Sequence, residues 1–92
     1  AQQGRYDESV ALLRSAVAAL ADAPPSDDLA LRARQALADT LRLAVRFDES
    51  LAVLDDTLAW QLANLPAGHP DVARTRMRRA GILQLWSNVD FV

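Results

Sequence analysis

The sequence predicts an all-α fold, one domain over residues 1–92 built as an α-solenoid of antiparallel helix hairpins with about four helices. Three observations carry this expectation. The hexapeptide GRYDES at Gly4–Ser9 returns as VRFDES at Val45–Ser50, 41 positions further on. Self-similarity at a period of roughly 20–50 residues marks architectures in which each unit buries its apolar face on its neighbours. Apolar residues recur at steps of three and four, the spacing of one helix face. No segment alternates with period two over a strand's length, and Val and Ile are scattered.

Each element follows from its own residues. A first helix is expected over residues 6–21, because Tyr6, Val10, Leu13, Val17 and Leu20 hold one face. After the repeat offset, Phe47, Leu51, Leu54, Leu58 and Leu62 do the same for a helix over 47–64. Asp7 with Glu8, and Asp48 with Glu49, then fall in first turns, where carboxylates oppose the positive end of the helix dipole. Between them, Ser26 is the expected N-cap of a helix over 27–44, with Asp27 and Asp28 in its first turn and Leu29, Ala33, Leu37, Leu41 and Ala44 as its stripe. A fourth helix, over 71–86, starts after His69 near the cap and Pro70 at the first helical position, where a missing N–H costs nothing. Its buried face reads either as Met77, Ala80, Gly81 and Leu85 or as Ala73, Met77, Gln84 and Trp86. The final SNVDFV is expected to open a further unit, with Phe91 echoing Phe47.

These segments resemble the tetratricopeptide repeat (TPR) family. GRYDESVALLRSAVAAL looks like the second helix of such a repeat, with Gly4 at the turn, Tyr6 as the turn aromatic, Ser9 and Ala16 at small positions and Leu13 at the large one. Val45, Phe47, Ser50, Leu54 and Thr57 supply the second copy. Thr57–Ala73, ending in HPDVA, is similar to the linker of the longer, kinesin-light-chain-like subtype, whose period of about 42 residues also agrees. Val45 stands where glycine is expected, which argues against a left-handed residue at that turn. Arg78 and Arg79 stand near where this subtype usually carries asparagine and leucine. The resemblance implies a right-handed array with Ser9 and Ser50 at close helix crossings. It also implies a protein-interaction scaffold whose first helices line a concave groove for a peptide or partner protein. Mapped onto this chain, the groove positions are Arg32, Gln35, Asp39 and Arg42, with Leu43 beside them; the Lys and Asn pattern of chaperone-tail binders is missing there. The chain begins and ends inside repeats, so a section of a longer array is expected, with self-association through its uncovered ends.

Composition and chemistry point the same way. Hydrophobic residues make up 51% and charged ones 24%, as in a soluble globular unit. No run approaches the roughly 18 apolar residues of a membrane span, and AQQGRYDE does not read as a secretory leader. A cytoplasmic protein without membrane attachment is expected. Absence of cysteine excludes disulfides, thiolate zinc sites and cysteine nucleophiles. A net charge of -2 gives no basic face for nucleic acid. All ten cations are arginine, which with the abundance of Ala and Leu reads as a GC-rich bacterial coding bias.

Catalysis needs converging polar groups and a metal needs several ligands; neither pattern is present, so no enzyme, cofactor or metal is expected. His69 reads as a cap residue, and the neighbours Asp27/Asp28 and Asp55/Asp56 point about 100° apart on a helix, as solvated charge rather than acid–base pairs. Gly4, Gly68 and Gly81 form no phosphate loop. Arg74 and Arg78 share a helix face and, with Arg76 and Arg79, read either as an anion-binding strip for an acidic peptide or as a solvated face. Trp60 is expected to pack on the following hairpin or to anchor an interface; Trp86 fits core or edge equally. The expected function is therefore a binding scaffold, part of a larger bacterial regulatory or signalling protein. The alternative is a compact oligomerisation module whose first and last helices meet in a closed bundle.

Overall fold

Where each helix begins depends on what satisfies its first free N–H groups, and the second, third and fourth helices solve this differently. The computed structural model describes the backbone of residues 2–91 and the side chains of residues 4–89. Its elements are α1 (Gln2–Ala19), α2 (Asp28–Leu43), α3 (Phe47–Asn64) and α4 (Pro70–Phe91), with no strand among the described residues. At α2 the cap is Asp27, not Ser26: its carboxylate accepts from the N–H groups of Leu29 at 3.0 Å and Ala30 at 3.3 Å. At α3, Asp48 and Glu49 occupy the first turn as expected. At α4, Pro70 is the first helical residue, and the Asp71 N–H donates to His69 Nδ1 at 3.1 Å.

The two copies of the repeated hexapeptide do not do the same work. α1 starts at Gln2, so Gly4 is helical and Asp7 and Glu8 lie beyond the first turn rather than opening the helix. Gln and Arg flank Gly4, and a single glycine costs a helix only about 1 kcal/mol, too little to stop it. The turn that favours glycine is made instead by Val45, whose φ of 62° is left-handed. There the Arg46 N–H donates to the Leu41 carbonyl and the Val45 N–H to that of Arg42, the paired bonds of a Schellman C-cap. That expectation is corrected: the hydrogen bonding of the turn outweighs the steric cost of a β-branched residue. α4 also departs from the expected end, continuing beyond Trp86 because no glycine or proline follows Gly81. Residues 87–91 thus extend α4 instead of starting a new unit, while Val92 and the side chain of Phe91 lie outside the described residues.

Packing joins sequence neighbours, α1 on α2, α2 on α3 and α3 on α4. The Cα thickness of 14 Å, against 38 Å and 28 Å in the other directions, fits two helix layers. Ion pairs mark which helices lie side by side: Asp7–Arg46 and Arg14–Glu49 tie α1 to α3, and Asp39–Arg78 ties α2 to α4. The core gathers Val10, Leu37, Leu41, Phe47, Val53, Leu54 and Ile82, with Leu13, Val17, Leu51 and Trp86 packed against it.

Small polar residues let the helices approach. Ser50, fully buried, donates from Oγ to the Ala38 carbonyl at 2.8 Å, and Thr57 and Thr75 return their hydroxyl protons to carbonyls within their own helices. Ser9, its repeat equivalent, is exposed, as no described helix lies against that side of α1. Other expectations need correction too. Leu29 is exposed while Ala30 is buried, so α2 turns its stripe by one residue at its start; Leu62 is exposed as well, and Tyr6 is half-buried. In α4 the buried residues are Val72, Thr75 and Ile82 with Trp86 half-buried, whereas Met77 is 73% exposed. Both expected faces of that helix fail except for Trp86. Apolar residues occur all round α4, so hydrophobicity alone does not select a side.

Candidate ligand groove

The stripe of Arg32, Gln35, Asp39 and Arg42, at steps of three and four, lies on the side of α2 that looks along the layer toward α4. Arg74 and Arg78 project from α4 into the same valley. Its first half, about 530 Å³, is walled by Arg32 and Gln35 from α2 and by Asp71, Arg74, Met77 and Arg78 from α4. The second half, about 540 Å³, has an apolar floor of Ala38, Leu54 and Ile82 below a rim of Asp39, Arg42, Arg78 and Gln84. Arg78 lines both halves. All six residues expected from the sequence are thus brought together on one surface, while Leu43 is exposed beyond it.

Electrostatics sorts these groups. Arg78 Nη1 donates to Asp39 Oδ1 at 2.7 Å where the two halves adjoin. Arg32 pairs with Asp28 at 2.9 Å and Arg74 with Asp71 at 3.1 Å, each along its own helix. Arg42 makes no ion pair among the described residues and is half-buried beside the apolar floor. Its guanidinium is the only one of these four without an ion pair among the described residues, and its rigid fork suits bidentate pairing with an incoming carboxylate. Arg76 and Arg79 are not part of the valley; Arg79 turns to Asp55 on α3 at 2.6 Å.

Residues not expected in a groove complete the valley. Ile82, which the sequence did not single out, and Gln84 and Leu85, expected only as alternative buried positions, enter it because the real face of α4 is rotated from either expected one, and knowing that Val72 and Thr75 are buried would have placed them. Trp60 belongs elsewhere. Its Nε1–H donates to the Ala23 carbonyl at 2.8 Å, fastening the loop before α2, and its ring lies 4.2 Å from the Arg34 guanidinium. It therefore packs on the preceding loop, not the following hairpin. Burial pushes the Arg34 pKa down, partly countered by nearby Asp56. On the opposite layer, Arg46 grips Glu49 through Nε and Nη2 and reaches Asp7 at 3.1 Å. Hydrogen bonding from Arg46 holds the Glu49 carboxyl below its usual range.

Among the described residues no three His, Asp or Glu side chains converge as a metal site requires, and no helix is long and apolar enough to cross a membrane. No protein-family model, curated protein or solved structure matches the chain.

Proposed function

We propose that the protein is a non-enzymatic interaction scaffold of tetratricopeptide type, and that the valley between α2 and α4 receives an acidic or C-terminal peptide of a partner protein. The observation that carries this reading is the grouping of Arg32, Gln35, Asp39, Arg42, Arg74 and Arg78 along one valley with an apolar floor. Neighbour-to-neighbour packing of the helices supports a solenoid over a closed bundle, in which α1 and α4 would meet. An extended peptide laid along the valley would place a carboxylate against Arg42 and apolar side chains over Leu54 and Ile82. Work as one section of a larger bacterial regulatory protein in the cytoplasm fits this role.

Because the arginines are mostly paired and solvent-facing, affinity should be modest and should fall as salt rises. The test is titration of an acidic peptide library against the parent, Arg42→Ala and Arg74→Ala. Arg42→Ala is expected to weaken binding about tenfold, the loss of one charge-assisted pair, and Arg74→Ala less, since Arg74 is already bound to Asp71. Melting temperatures should stay unchanged. Binding that survives both substitutions but is abolished by Asp55→Ala would move the site to the α3 surface and overturn the reading.

A further inference from the structure

Where α1, α2 and α3 meet, a recess of about 200 Å³ opens that shares no lining residue with the valley. All three of its walls are helices already packed on one another, so its shape is complete within residues 14–56. Val17, Leu37 and Val53 give it an aliphatic floor, with Leu37 and Val53 buried. Arg14, Arg34 and Asp56 stand at its rim.

The three rim charges are not equivalent. Arg14 is engaged by Glu49 at 3.3 Å. Arg34 and Asp56 make no ion pair among the described residues, either with each other or with another group. Burial pushes the Arg34 pKa down and Asp56 draws it part of the way back, so the two charges feel each other without pairing. A negative partner on Arg34 would offset its desolvation further. The guanidinium lies 4.2 Å from the Trp60 ring, a contact that draws on its charge and leaves its planar fork of donors for a carboxylate.

A cation and an anion beside one aliphatic floor call for a ligand with three matching parts. We propose that this recess binds a free α-amino acid with an aliphatic side chain: its carboxylate meets Arg34, its ammonium meets Asp56, and its side chain covers Val17, Leu37 and Val53. Size supports a ligand this small. Pockets for drug-sized molecules begin at about 300 Å³, so 200 Å³ holds one side chain and not a folded segment. Charge separates the free amino acid from a chain end, because an N-terminal residue lacks the carboxylate and a C-terminal residue lacks the ammonium. The site goes beyond the peptide reading and does not rest on it, since Arg42 and the valley floor take no part.

The test is titration of the protein with L-leucine, N-acetyl-L-leucine and L-leucinamide, followed by amide and methyl shifts in NMR spectra. L-Leucine should bind in roughly the millimolar range, as two partly exposed charge pairs and one side chain allow, and should shift Val17, Leu37 and Val53 most. Each derivative, missing one charge, should bind about three- to fivefold more weakly. Asp56→Asn should erase the advantage of leucine over N-acetyl-leucine but keep its advantage over leucinamide, and Arg34→Gln should do the reverse. Ala18→Trp, which fills the recess from an exposed position and leaves both charges in place, should abolish binding even if Arg34→Gln disturbs Trp60. Arg42→Ala should leave leucine binding unchanged. The proposal is overturned if leucine moves none of the three floor residues, if either derivative binds as tightly as leucine, or if Ala18→Trp binds leucine at the parent's strength.

Discussion

Val45 carries the one left-handed backbone conformation of a non-glycine residue among the described residues, and its side chain, 61% exposed, recovers nothing by packing. For an L-residue that conformation costs roughly 1–2 kcal/mol. Glycine would remove the cost while adding some freedom to the unfolded chain, so Val45→Gly should stabilise the fold by about 0.5–1 kcal/mol, a rise of a few degrees in melting temperature. An unchanged or lower melting point would show that the turn is not left-handed in solution. The residue scale also shows how unevenly the site could be read beforehand. Polar residues at helical spacing placed Arg32, Gln35, Asp39 and Arg42 on one stripe, because periodicity reports direction around an axis. Which arginine is left without an ion pair was not legible. It depends on Asp28, Asp71 and Asp39 capturing the other three, and the Arg78–Asp39 pair is 39 positions apart in sequence.

At the scale of elements, the α2–α3 crossing depends on Ser50 being small. A leucine there would have to displace α2 from the Ala38 carbonyl, so Ser50→Leu should destabilise by roughly 1–3 kcal/mol, read by denaturant titration, and Ser9→Leu by almost nothing in the monomer. The α1–α3 contact rests partly on charge. The Glu49 carboxyl is held below its usual range, mainly by the Arg46 hydrogen bond, so its contribution is complete above the ordinary carboxylate range and is lost as pH falls through the lowered one. Melts of the parent and of Glu49→Gln should differ slightly at neutral pH and converge in acid; a gap that persists below that range would exclude this origin. Helix α3 was legible to the residue because its acidic start and its apolar face agree. Helix α4 was not, because Met77, Leu83, Leu85 and Val89 remain exposed and dilute any face. α1 misled in another way: the repeat carried over a helix start that Gly4 alone is too weak to impose.

The whole molecule is a thin four-helix assembly in which the main packing joins helices adjacent in sequence. If it works as the solenoid proposed above, it should fold and open locally, without long-range closure to coordinate the ends. Amide exchange of the monomer should therefore be graded, slowest in α2 and α3 and faster in α1 and α4, each packed on one neighbouring helix. Uniform protection across all helices would show a cooperative bundle instead. The Asp39–Arg78 pair gives this gradient a further meaning. It ties α2 directly to α4, and the valley has two walls only while α4 stays seated. A peptide bridging both walls would draw on the same equilibrium that lets α4 lift away: its measured affinity is reduced by the fraction of molecules with α4 detached, and its binding slows exchange along α4. Shifting that fraction through the final helix alone would tune recognition without altering a single residue that touches the ligand.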